Sequence, residues 1–171
     1  MAGEIDGDGE VQIIVSPSEI IQETVSGDLF SLVLSSYGYR VVKSAIINGK
    51  AILLAKNPLD IAVTFLLDPI AREIQIMHTM PLLYRVSAND VGLARMIMDI
   101  SLQTKRVSIL LDRDMREVVL MTAIDLLGSP SFDEIINSIE NRWSEIEEIR
   151  GSGIVGFVDA TKSSDLIREE L

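Results

Sequence analysis

Between Tyr39 and Pro81 the chain is punctuated by turn formers: Asn48-Gly49, Pro58, Asp68-Pro69 and Pro81. This spacing constrains the fold more than any other feature. The runs between the breaks are short and apolar, which is the pattern of strands joined by tight turns. Asn48-Gly49 is the strongest of these signals, because both residues accept positive φ in a type I′ hairpin turn. It predicts that Tyr39–Ile47 and Ala51–Lys56 pair. Ile61–Leu67 is a third strand, apolar on both faces. Glu73–Met80 is a fourth, with Glu73 and Gln75 alternating against Ile74 and Ile76. Together they predict an antiparallel meander of four strands.

Helices flank this region. Ser16-Pro17-Ser18-Glu19 carries a capping box with proline at the first helical position. A helix follows, interrupted near Gly27 and stopped by Gly38. Ser87 with Asp90 opens a second helix to about Thr104, with Met96 and Met98 in its apolar middle. Two strands come next, Val107–Leu111 and Glu117–Ile124, around the charged turn Asp112 to Arg116. Ser131 with Glu134 caps the third helix, in which Phe132, Ile135, Ile136, Ile139, Trp143, Ile146 and Ile149 recur at spacings of three and four. That is one apolar stripe on an amphipathic helix. The predicted order is helix, four strands, helix, two strands, helix. It belongs to the α+β class with an antiparallel sheet.

The 171 residues fit one domain, at residues 16–150. Residues 1–15 read as a mostly disordered segment with a short strand at Glu10–Val15. Residues 151–171 read as a glycine-rich turn and a polar tail, with a short strand at Val155–Val158 and a last short helix after Ser163-Ser164.

Charge and composition narrow the function. The net charge is −11, and the basic residues are scattered, so nucleic acid and anionic membranes are not expected partners. The longest uncharged run, Leu29–Tyr39, is eleven residues, against the roughly 20 that a spanning helix needs. The first ten residues lack the basic and apolar regions of a signal peptide. A cytoplasmic protein is expected. There is no cysteine, so thiolate chemistry and cysteine-based zinc sites are excluded. Abundant Ile and Glu beside few Asn and Gln point to a thermophile. Hydrophobic residues reach 47% and mean hydropathy is +0.30. That is more apolar material than a small domain readily buries, and it suggests a surface shared with another chain.

Four motifs invite chemical readings. Residues 151–156, GSGIVG, match the dinucleotide-binding glycine pattern, but a helix precedes them and no βαβ unit can follow. They read as a helix end and a turn. Glu4, Asp6, Asp8 and Gly9 resemble the start of a calcium loop, yet Val15 stands where the bidentate glutamate belongs. His78 is the single histidine, on the fourth strand, and reads as an ordinary strand residue. Asp112, Asp114 and Asp125 offer carboxylates for a cation but read as solvated turn residues. Neither a cofactor nor a metal site is expected.

Two stretches carry a resemblance. RVSILLDRDMREVVLMTAIDLLGSPSFDEIINSIENRW, residues 106–143, resembles the closing ββα unit of the YbjN family and of the type III secretion chaperone-like fold. SANDVGLARMIMDISLQ, residues 87–103, resembles the middle helix that precedes it. The resemblance covers most of residues 16–150, and it departs from the secretion chaperones in the strand Glu73–Met80 and the C-terminal tail. It implies a type III secretion chaperone-like fold and a small acidic homodimer that binds polypeptides or regulates without catalysis.

The sequence therefore predicts a non-enzymatic, protein-binding, chaperone-like or regulatory module. Its partner or dimer surface would be a sheet face or edge, or the helical stripes of Ile97, Met98, Leu102, Ile139, Trp143 and Ile146. The alternative is a small-ligand-binding domain or enzyme using His78 or the Asp112/Asp114 turn.

Overall fold

The computed structural model describes residues 2–5, 11–14, 28–128 and 130–162. Two short strands, β1 (Ala2–Ile5) and β2 (Val11–Ile14), pair antiparallel on their own. This corrects the expectation of a mostly disordered head: the backbone groups of Val11–Ile14 find their hydrogen-bond partners in Ala2–Ile5. The capping box at Ser16, the acidic residues Asp6 and Asp8, and the C-terminal helix after Ser163 lie outside the described residues.

The domain proper runs α1 (Asp28–Ser36), β3 (Arg40–Ile47), β4 (Lys50–Lys56), β5 (Ala62–Asp68), β6 (Glu73–Pro81), α2 (Val91–Gln103), β7 (Ser108–Asp112), β8 (Glu117–Asp125) and α3 (Phe132–Arg150). It is an α+β fold, in the element order that the sequence predicts. The six strands form one antiparallel sheet in the order β3-β4-β5-β6-β8-β7. The last hairpin docks with its second strand inward, so β8 pairs with β6 from Glu73↔Asp125 to Pro81↔Glu117.

Local chemistry explains the boundaries. Asn48 at φ 52° and Gly49 at φ 75° make the left-handed turn between β3 and β4. Helix α1 ends in a Schellman motif. Gly38, at φ +87°, donates to the Ser35 carbonyl at 3.2 Å, and Tyr39 donates to the Leu34 carbonyl at 3.1 Å. Tyr39 and Leu34 are both buried, which supplies the motif's hydrophobic contact. Asp90, rather than Ser87, caps α2: its carboxylate accepts from the Leu93 amide at 3.0 Å. Ser87 instead builds the preceding turn, accepting from the Asn89 amide. The capping box of α3 is complete in both directions, between Ser131 and Glu134.

Helices α1, α2 and α3 pack on one face of the sheet. The core joins Phe30 and Leu34 of α1, Leu93 and Ile100 of α2, and the α3 stripe to the strand residues facing them. Phe65 of β5 takes edge-on contacts from Phe30 and Tyr39, with centroids 5.6 and 5.9 Å apart. The Tyr37 hydroxyl donates to the Asp133 carboxylate at 2.7 Å, tying the end of α1 to the start of α3.

The outer strand β3 carries a bulge at Val42, where its register with β4 shifts. At the other edge, β7 is only five residues long and leaves Thr122–Asp125 of β8 unpaired on that side.

Candidate functional site

The strands place two sets of side chains on opposite faces of the sheet. One set faces the helices. The register fixes the other. Ala45, Ile52 and Leu66 form one row across β3, β4 and β5. Leu54, Thr64, Met77 and Met121 form a second across β4, β5, β6 and β8. Val119 and Leu110 extend the patch to β7. None of these apolar residues joins the core cluster that the helices make with the sheet's other side. The second face of an antiparallel sheet is ordinarily polar. Here its centre is aliphatic and thioether, half-buried at Ile52, Leu66, Met77 and Met121 and buried at Leu54 and Thr64.

The patch has a charged rim. Next to the first row lie Lys50, Asp68, Glu73 and Asp125. The Lys50 ammonium meets the Asp68 carboxylate at 2.7 Å. Asp68 also accepts from the amides of Ile70 and Ala71, each at 3.0 Å. The lysine contact first, and the amides after it, hold this carboxyl below the usual range. At the opposite end Asp60 binds Arg40 at 3.0 Å and Lys56 at 3.1 Å. An apolar centre inside a polar rim is the anatomy of a protein interface.

The helical residues proposed from sequence separate into two groups. Met98 and Leu102 are 65% and 83% exposed, and with Val91 they line the outer side of α2. Ile97 is half-buried against the core. Ile139, Trp143 and Ile146 are 1%, 7% and 0% exposed. This corrects their placement on a partner surface: the α3 stripe covers its own sheet, against β6 and β8.

His78 lies on the helix-facing side of β6 and is 1% exposed. Its Nδ1 stands 2.9 Å from the Ala62 carbonyl. A carbonyl can only accept, so Nδ1 carries the proton. Burial, with Arg150 nearby, pushes the ring's pKa down to about 4, so it is neutral and Nε2 is an acceptor. His78 lines a cavity of about 320 Å³ with Ala62, Arg150 and Lys162. A second cavity, of about 360 Å³, lies between the ends of α2 and α3, where Arg106 pairs with Glu145.

The other sequence motifs have structural roles. Gly151 ends α3 in right-handed geometry, and Gly153–Gly156 forms a 3-10 turn. The strand expected at Val155–Val158 is therefore reduced to a single bridge, Val158↔Leu82, because Ser152 caps the turn instead. A Cβ at Gly153 would lie 2.8 Å from Met96 Cε, so glycine lets this turn approach α2 closely. The Asp112 carboxylate accepts from the Met115 amide at 2.9 Å, and Asp125 accepts from the Leu127 amide at 2.7 Å. Asp112 pairs with Glu117 at the start of β8 and Asp125 is its last residue, so the two aspartates lie roughly 25 Å apart at the rise of an extended strand. Among the described residues no three His, Asp or Glu side chains converge as metal ligands, and no helix is long and apolar enough to cross a membrane.

The chain matches no protein-family model, and no curated protein matches it. It is similar to the crystal structure of an uncharacterized protein from Methanothermobacter thermautotrophicus. The similarity covers 72% of this chain and 92% of that one, at 14% identity and a TM-score of 0.53. At that identity the two share a fold.

Proposed function

We propose that this chain is a non-enzymatic protein-binding module, chaperone-like or regulatory, that works as a cytoplasmic homodimer. The observation that carries the reading is the apolar sheet face centred on Ile52, Leu54, Leu66, Met77 and Met121. Strand spacing makes this face roughly 25 Å wide, with strands about 20 Å long. A standard interface buries about 800 Å² per partner, which is of that order once the surface is corrugated by side chains. The resemblance of residues 87–103 and 106–143 to YbjN proteins and type III secretion chaperones supports the same reading.

A second copy of the chain is the occupant that fits the face best. The patch is self-complementary in chemistry, and its rim alternates Lys50 and Lys56 with Asp68 and Asp60. A two-fold contact pairs the same patch with itself. Light scattering tests this at tens of micromolar. The expected mass is twice the 18.8 kDa of one chain. Met77→Lys and Leu66→Glu should each return a single-copy mass, and Met98→Glu should leave the dimer intact. Two copies double a net charge of −11, so added salt should tighten the pair. A wild-type monomer at every concentration would sink the reading. A pull-down from native lysate then asks which polypeptide the dimer holds.

A further inference from the structure

A cleft on the helix side of the sheet carries a separate inference, independent of the dimer. It lies where the start of β5, the middle of β6, the end of α3 and the segment 160–162 meet. Two of its lining residues bring polar nitrogens that no described residue satisfies: His78 Nε2 and Arg150 Nε. His78 is nine-tenths buried and more. Its Nδ1 proton is committed to Ala62, so Nε2 asks for a donor. Arg150 is positioned by its own contact, an Nη donating to the Ala160 carbonyl at 2.7 Å, which leaves Nε–H asking for an acceptor. Buried polar groups are rarely left unpaired, because desolvation without a partner is costly.

The local charge has the opposite sign to the chain. The chain's net charge is −11. The charged residues that line the cleft are two cations, Arg150 and Lys162, and one carboxylate, Asp60. Asp60 is held by Arg40 and Lys56, and Asp159 by Lys162 and Thr161. The cleft therefore favours an anion in a molecule that otherwise repels one.

We propose that this cleft is a binding site for a small oxyanion that also bears an O–H group, such as a hydroxycarboxylate or a protonated phosphate. One oxygen accepts from Arg150 Nε–H, the hydroxyl donates to His78 Nε2, and Lys162 closes the mouth. The cavity of about 320 Å³ suits a small molecule.

His78 is the single histidine, so selective ¹⁵N labelling gives one residue's signals. Inorganic phosphate, glycolate and acetate are titrated into the full chain. Saturable movement of the Nε2 resonance by phosphate or glycolate is expected. Acetate, which lacks the hydroxyl, should bind at least tenfold more weakly than glycolate. Arg150→Gln should weaken binding tenfold or more, and Lys162→Gln, on an exposed side chain, severalfold without disturbing the fold. Response to phosphate alone assigns the ligand to the phosphate class, and response to glycolate alone to the carboxylate class. No movement of Nε2 with either, or unchanged affinity in Arg150→Gln and Lys162→Gln alike, overturns the proposal.

Discussion

His78 and Trp143 meet edge to face, with ring centroids 5.5 Å apart and planes at 90°. The contact joins the centre of β6 to the middle of α3, so the only histidine and the only tryptophan of the chain share one buried site. Aromatic pairs favour this arrangement, in which one ring's electropositive edge meets the other's electron-rich face.

Stability should depend on pH through His78. The ordinary imidazole value is 6.5, and burial lowers the folded value to about 4. Above pH 6.5 the ring is neutral in both states. Between 6.5 and 4 the unfolded chain takes up a proton that the folded chain refuses, so stability falls as pH falls. The slope approaches 1.4 kcal/mol per pH unit and amounts to about 3 kcal/mol in all. Below about 4 this contribution stops changing. Urea unfolding at pH 7, 6 and 5 should show the loss in wild type, and the His78→Leu variant should lack it.

The α3 stripe should behave as core and the α2 stripe as surface. Ile139→Ala and Ile146→Ala should each cost about 2–5 kcal/mol, the range for buried aliphatic truncation. Met98→Glu and Leu102→Glu should stay within about 0.5 kcal/mol. Chemical denaturation of the four variants makes the comparison, and equal costs on the two helices would contradict the packing described.

Helix caps give a sharper contrast within a few residues. Asp90→Ala removes the acceptor for the Leu93 amide, and Ser131→Ala removes one half of the α3 capping box. Each should lower stability by about 1 kcal/mol. Ser87→Ala, three residues before the true cap of α2, should cost less than half of that. Midpoints of urea unfolding at constant slope measure the differences.

Two glycines should respond differently to alanine. Gly38 has φ +87°, and a Cβ there would sit 3.3 Å from the Pro58 ring. Gly38→Ala should cost about 1–2 kcal/mol for the left-handed backbone alone. Gly153→Ala meets only the flexible end of Met96, which can swing aside, and should cost under about 1 kcal/mol. Thermal melts of the two variants decide the ranking.

Much of the fold was legible because its signals are local. Asn48-Gly49, Gly38 and the Ser131/Glu134 box each fix a boundary through the conformation of a few adjacent residues. The limits of β3 to β8 and of α3 accordingly fall within a residue or two of those expected, whereas α2 starts three residues later than a Ser87 cap implies. The position of β8 inside the sheet was not legible, since pairing with β6 joins Glu73 to Asp125 across the whole of α2 and β7. Nor does a helical stripe reveal what it covers. Ile139, Trp143 and Ile146 look the same in sequence whether they pack on their own sheet or on another chain. The apolar outer face had a trace in Ile61–Leu67, a strand greasy on both sides. The cleft at His78 had none, because Ala62, Arg150 and Lys162 approach it only through tertiary packing.

The bulge at Val42 has a bearing on how far association can run. A strand interrupted there is a poor template for a further strand, and the short β7 offers little length at the opposite margin. Stacking copies margin to margin into an endless ribbon is thereby discouraged. In the proposed dimer, contact through the broad face would be self-limiting, because the described residues of each copy offer that face once. On that reading the two margins favour a finite pair over a fibre.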